Sequence, residues 1–85
     1  MLNIMTYGII FEKINEPGFD GYYYAHIPSL GLTTHGVGID GARAMAEDMV
    51  TLWLEELISE GKEIPHNGDV LLSTLEIHED ALQTA

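Results

Sequence analysis

Two kinds of side chain are missing or scarce in this sequence. It has no cysteine, which excludes disulfides, thiolate nucleophiles and thiolate metal sites. Only three of its 85 residues are lysine or arginine, against 14 aspartate and glutamate residues, so the formal net charge is −11. Three basic side chains cannot neutralise a row of phosphates. We therefore expect no direct binding to nucleic acid.

Long apolar runs and a basic leader are also lacking. No run approaches the roughly 20 apolar residues that span a bilayer, and Met1-Leu2-Asn3-Ile4 is not the start of a secretory signal. We expect no membrane partner and, since cysteine is absent, a cytoplasmic protein. The apolar residues make up 46% of the chain, with four tyrosines, two phenylalanines and one tryptophan. That composition supports one folded core rather than disorder.

The first half of the sequence predicts three strands. Residues 4–11, 22–27 and 32–35 are rich in β-branched, aromatic and apolar types. The turn dipeptides Pro17-Gly18 and Asp20-Gly21 separate the first two stretches and predict a hairpin. Because side chains alternate along a strand, Tyr22, Tyr24 and His26 should share one face of the second strand. Such amphipathic rings are enriched in protein contacts, which makes these three residues candidates for binding a partner.

A helical period follows over residues 40–60, and Gly61 stands where a helix commonly ends. One broad side is apolar, and Leu54 and Ile58 widen it beyond what a small sheet would cover. This excess predicts a homo-oligomer, a dimer or a tetramer. The candidate residues for the subunit contact are Met49, Trp53 and Leu57.

The opposite side of this helix is acidic. Glu47, Asp48 and Glu55 lie there by helical spacing, and they are the remaining candidates for binding a partner. A basic protein is the complementary partner, because opposed potentials speed encounter and exclude wrong partners. The alternative is an acidic surface that only keeps a small protein soluble.

A fourth strand is predicted over residues 70–77. The element order is then β-β-β-α-β, an α+β fold with an antiparallel sheet and one long helix packed on one face. We expect a single domain over residues 1–77 and a short polar tail over residues 78–85.

The sequence offers little chemistry for catalysis. The four histidines fall in different predicted elements at no metal-ligand spacing, and we expect no metal, no cofactor and no enzyme activity. The pairs Glu47-Asp48 and Glu55-Glu56 are typical of a solvated helix side. Gly36-Val37-Gly38 lacks the third glycine of a dinucleotide-binding turn, and no glycine-rich phosphate loop with a lysine follows a strand.

Several motifs occur together in an order that resembles the HicB-like antitoxin family, over about residues 4–77. They begin with the stretch GYYYAHIPSLG over residues 21–31 and continue with Thr34-His35-Gly36 and Ala42. The helix then ends in Trp53-Leu54-Glu55-Glu56-Leu57, before Gly61 and Ile64-Pro65. The turn Pro28-Ser29-Leu30-Gly31 is shorter than the family's Pro-Asp-Leu-Pro-Gly. Gly38 and Gly41 replace the family's Ser/Thr helix start.

The resemblance implies a partial ribonuclease-H-like fold and the role of an antitoxin. It would bind and neutralise a small basic RNA-cleaving toxin, HicA-like, of a toxin–antitoxin pair. Residues 4–11 contain no carboxylate to hold the metal ions of a nuclease, so nuclease activity is not expected. The alternative is an orphan homo-oligomeric domain, structural or binding a small ligand, that has no toxin partner.

Overall fold

The computed structural model describes residues 5–66, 68 and 72–82 of the chain. A three-stranded antiparallel sheet is followed by one long helix, which confirms the α+β class. The strands are β1 (Ile10–Lys13), β2 (Tyr22–Ile27) and β3 (Leu32–Val37), and the helix is α1 (Gly38–Ser59). Two short 3-10 helices cover Pro28–Leu30 and Glu79–Ala81. The strand order is β1-β2-β3, so β2 is central.

β1 begins and ends later than the predicted residues 4–11. β2 stops at Ile27 because Pro28 opens a 3-10 helix, and residues ahead of Ile10 therefore have almost no length of β2 beside them. At the other end, Glu12 and Lys13 extend β1 because they pair with the first residues of β2. The ends of β1 are thus determined by the ends of β2. The composition of the β1 stretch alone does not show where they fall.

The core lies between the sheet and α1 and is built from small residues. Ala25 of β2 and Ala42 and Ala46 of α1 are all buried, as is Ile27. Because a methyl group is short, the helix and the sheet approach each other closely where these three alanines meet. Larger side chains pack around it, half-buried: Tyr7, Ile9, Phe11, Tyr23, Leu30, Leu32, Met49 and Val50.

Glycines shape both ends of α1. A β-carbon on Gly36 of β3 would lie 2.6 Å from the backbone of Gly41, so the helix can start this close to the strand only beside a glycine. At the other end Gly61 has φ +71, and its N–H donates to the carbonyl of Ile58 at 3.0 Å. The N–H of Lys62 donates to the carbonyl of Leu57 at 2.9 Å. The predicted helix stop at Gly61 is therefore confirmed.

The predicted fourth strand is wrong over residues 72–77, which belong to no strand; residues 70 and 71 lie outside the described residues. Leu72, Leu75 and Ile77 are 81%, 80% and 65% exposed. An alternating sequence forms a strand only when another strand takes up its backbone groups, and no described strand does so here. Among the described residues the order is therefore β-β-β-α.

Candidate functional site

α1 covers one face of the sheet, and no element among the described residues covers the other face. Cross-strand register places His26 between Ile10 and Thr33, and Tyr24 between Glu12 and His35. These side chains alternate with Ala25 and Ile27, which point into the core. We call this open face the sheet surface; by register it comprises Ile10, Glu12, Tyr22, Tyr24, His26, Thr33, His35 and Val37. The predicted grouping of Tyr22, Tyr24 and His26 on one face is the arrangement found.

The rings of the sheet surface contact one another. Tyr22 and Phe19 meet edge to face with centroids 5.6 Å apart, and His35 lies 6.2 Å from Tyr22. Tyr24 and His26 form a second pair at 5.7 Å. Sequence reasoning missed Phe19 and His35. His35 could have been found from the pairing of β3 with β2, whereas Phe19 reaches this face from the hairpin loop and has no periodic signal.

His26 connects all three strands through its two ring nitrogens. Its Nε2 lies 2.9 Å from a carboxylate oxygen of Glu12 on β1, and its Nδ1 lies 3.0 Å from the hydroxyl oxygen of Thr33 on β3. A carboxylate only accepts hydrogen bonds, so Nε2 donates to Glu12, and in the neutral ring Nδ1 accepts from Thr33. The ring is held in one orientation. The sheet surface therefore carries one polar ring, that of His26, in a fixed orientation among its aromatic rings.

The acidic candidates lie on α1, Asp48 and Glu55 on the side that faces away from the sheet and Glu47 on the flank, where it also lines a groove with Ile27 and Ala46. Glu47, Asp48 and Glu55 are exposed, together with Thr51 between them; we call these four residues the helix surface. In the described part of the chain these carboxylates have no ion-pair partner. The three basic side chains lie elsewhere: Lys62 pairs with Glu60 at 2.8 Å, Arg43 stacks 5.2 Å over the ring of Phe11, and Lys13 is on β1.

The candidates for partner binding therefore form two groups on opposite sides of the molecule. The sheet surface carries Tyr22, Tyr24 and His26, and the helix surface carries the three carboxylates. The sheet and the helix lie between them as two packed layers. One compact partner cannot contact both groups through a single flat interface.

The candidates for a subunit contact are more buried than a free surface would be. Met49 packs against the core cluster, and Trp53 and Leu57 are half-buried on the same side of α1. Leu54, expected to widen the exposed apolar side, is buried as well. The exposed apolar residues of α1 are Ile39, Met45, Leu52 and Ile58. The role of Met49, Trp53 and Leu57 in a subunit contact stays a prediction.

Two further absences hold for the described ranges of the chain. They contain no cluster of three or more histidine, aspartate or glutamate side chains arranged to hold a metal ion. They also contain no helix with both the length and the apolarity needed to cross a membrane.

The chain was compared with protein-family models, with curated proteins and with solved structures. None of the three comparisons gives a match.

Proposed function

We propose that this chain is a non-catalytic, antitoxin-like protein that binds and neutralises a small basic RNA-cleaving toxin in the cytoplasm. The observation that carries the proposal is the sheet surface, an open face on which Tyr22, Tyr24 and His26 stand half-buried and in contact with neighbouring rings. Rings on an open sheet face supply contact area at little entropic cost, because each has only two side-chain torsions to fix.

The chemistry of the sheet surface indicates what kind of partner it fits. By register it holds one carboxylate, Glu12, and neither lysine nor arginine. An arginine from a partner can stack on the face of Tyr22 or Tyr24 and pair with the Glu12 carboxylate. A basic protein surface that contains arginine is therefore a better match than an acidic or purely aliphatic one.

The net charge of −11 favours the same class of partner at longer range. Glu47, Asp48 and Glu55 add an un-neutralised negative field on the far side of the domain. Such a field speeds the diffusional encounter with a basic protein whichever surface finally docks. The resemblance to HicB-like antitoxins suggests that this partner is an RNA-cleaving toxin, whose RNA-binding surface would be covered in the complex.

Co-expression with any small basic protein encoded beside this chain tests the proposal. We expect the two proteins to co-purify, with an affinity that falls as salt is raised. Replacing both rings, Tyr22→Ala with Tyr24→Ala, should weaken binding at least tenfold. If no basic protein is encoded there, or if none co-purifies, the proposal fails.

The role of the helix surface is tested separately, since it lies on the other side of the domain. The triple variant Glu47→Gln, Asp48→Asn and Glu55→Gln should slow association several-fold while the dissociation rate changes little. The charge-matched control is Glu16→Gln, Glu63→Gln and Glu79→Gln, which removes three exposed carboxylates elsewhere. Equal effects of the two triples would show that only the net charge matters. A larger effect on dissociation would instead place the toxin directly on the helix surface.

The second candidate function is an orphan homo-oligomeric domain without a toxin. It is favoured by Met45 and Leu52, exposed apolar residues spaced seven apart on one flank of α1. Sedimentation of the isolated protein tests it. A stable oligomer that Leu52→Glu disperses, together with the absence of any co-purifying partner, would support this function over the first.

A further inference from the structure

The C-terminal segment over residues 72–77 is exposed and belongs to no strand or helix, although it contains Leu72, Leu75 and Ile77. Its apolar side chains have no cover in the described part of the chain. The radius of gyration is 16.9 Å, and the longest dimension is 56 Å against 31 and 24 Å. A compact domain of this length has a radius of gyration of about 12 Å. The molecule is therefore less compact than a domain of this length, and the apolar side chains of residues 72–77 do not contribute to its core.

The free edge of β1 offers the backbone partners that this segment lacks. On one side β1 pairs with β2; within the described residues no strand lies on the other side. The N–H of Ile14 donates to the carbonyl of Tyr22 at 3.0 Å, which fixes the alternation along the pair. By that alternation the N–H and C=O groups of Phe11 and Lys13 point away from β2. An open row of donors and acceptors of this kind accepts a further strand.

A groove next to the residues that lead into β1 offers cover for apolar side chains. It lies between residues 5–9 and α1 and has a volume of about 270 Å³. A cavity of roughly 150 Å³ already holds a benzene molecule, so this groove has room for two aliphatic side chains. Its wall is mainly apolar and includes one positively and one negatively charged side chain. The lining residues are Met5, Thr6, Tyr7, Ile9, Ile27, Arg43, Ala46, Glu47 and Val50.

We propose that residues 72–77 of one copy of this chain add as a strand to the β1 edge of a second copy, and that the exchange is reciprocal. Leu75 and Ile77 alternate onto the same side of the added strand and enter the groove. Leu72, Thr74 and Glu76 then lie on the other side, which is the side of the sheet that carries Glu12. A reciprocal exchange gives a twofold dimer in which each copy both donates and receives a segment.

The position of the segment favours a second copy over the segment's own sheet. Residues 72–77 belong to no strand of their own chain, and within the described residues the free side of β1 is unpaired. The hydroxyl of Tyr7 donates to the carbonyl of Pro65 at 2.5 Å, so the chain that follows α1 is tied to the residues ahead of β1 while the side chains of residues 72–77 stay exposed. An apolar segment that does not cover its own sheet is available to the same edge of another copy.

The mass of the protein in solution is the first test. We expect the full chain to be a dimer by sedimentation equilibrium, and the double variant Leu75→Asp with Ile77→Asp to be a folded monomer by circular dichroism. The matched control is Ile58→Asp, which places the same charge on an exposed apolar residue of α1 and should stay dimeric. A monomeric full chain, or a dimer that the double variant leaves intact, would overturn the proposal.

The second test separates exchange between copies from folding back within one copy. Because the chain has no cysteine, single thiols can be added without background. Glu12→Cys in one preparation and Thr74→Cys or Glu76→Cys in another should form a disulfide after mixing and oxidation, since paired strand positions match disulfide geometry.

Glu55→Cys on the helix surface is the control for chance collisions and should cross-link with neither segment variant. A chain that carries both Glu12→Cys and Thr74→Cys distinguishes exchange between copies from folding back within one copy. Cross-linked dimers of this chain support exchange between copies. A cross-link within single chains at high dilution would show that the segment returns to its own sheet, and would overturn the proposal.

Discussion

Gly36 on β3 and Gly41 on α1 lie so close that a β-carbon on Gly36 would be 2.6 Å from the carbonyl carbon and oxygen of Gly41. Both neighbouring atoms belong to the backbone, so they cannot rotate away as a side chain can. A substitution at Gly36 must therefore push the start of α1 off the sheet.

We expect Gly36→Ala to lower the free energy of unfolding by about 2 kcal/mol, within the range for overpacked cores. Urea titration followed by circular dichroism measures this. Gly68→Ala is the control, because no atom lies within 4 Å of a β-carbon there. If Gly36→Ala and Gly68→Ala unfold at the same urea concentration, the close approach of strand and helix does not hold in solution.

The alanines between α1 and the sheet allow a matched pair of substitutions. Ala46→Leu adds bulk at a buried position and should destabilise the protein by about 1–3 kcal/mol. Ala44→Leu adds the same bulk at an exposed position two residues earlier and should be nearly neutral, because leucine and alanine have similar helix propensities. Thermal unfolding measures both. Equal effects at the two positions would contradict the orientation of α1.

The hydroxyl of Tyr7 ties the chain after α1 to the chain before β1. We expect Tyr7→Phe to lower the free energy of unfolding by about 1 kcal/mol, because the carbonyl of Pro65 loses its donor. Tyr24→Phe is the control and removes a hydroxyl from the sheet surface instead. Hydrogen exchange near residues 62–66 should rise in Tyr7→Phe alone. A faster exchange in both variants would point to a general loosening rather than to this one bond.

Gly61 ends α1 with a positive φ of 71°. Gly61→Ala should reduce stability by about 1 kcal/mol, because a β-carbon strains this conformation, whereas Gly61→Asn should cost less. Midpoints of thermal unfolding, read from the fluorescence of the single Trp53, compare the two variants. An alanine variant as stable as the asparagine variant would mean that the helix end does not require this conformation.

Local signals in the sequence were enough to predict β2 and the end of α1. Gly21 and Pro28 bracket β2, and Gly61 supplies the helix stop, so each boundary has a residue that imposes it. β1 could not be predicted as well, because its length depends on where β2 stops. The composition of residues 72–77 favours a strand, but the structure forms none there, because a strand also needs an edge elsewhere with which to pair.

The candidate site shows the same division between local and distant causes. Tyr22, Tyr24 and His26 share a face because of strand alternation, which the sequence contains. Glu12 and His35 join them only through the register between strands, and Phe19 through the conformation of a loop. The prediction named these rings and the acidic residues of α1 together as candidates for partner binding, whereas the packing of α1 against the Ala25 face of the sheet separates the two groups.

The placement of the sheet surface and the helix surface on opposite sides has a consequence for stoichiometry. If the proposed partner docks on one surface, the other surface stays accessible, and two ligands would then be able to bind one chain at once. The two sites are then coupled only through charge, because a cationic ligand weakens the negative potential available to the next one. Screening extends over about 8 Å at 0.15 M salt and about 30 Å at 0.01 M, and each packed layer is roughly 10 Å thick. Binding of two cationic ligands is therefore independent near physiological salt and becomes anticooperative at low ionic strength.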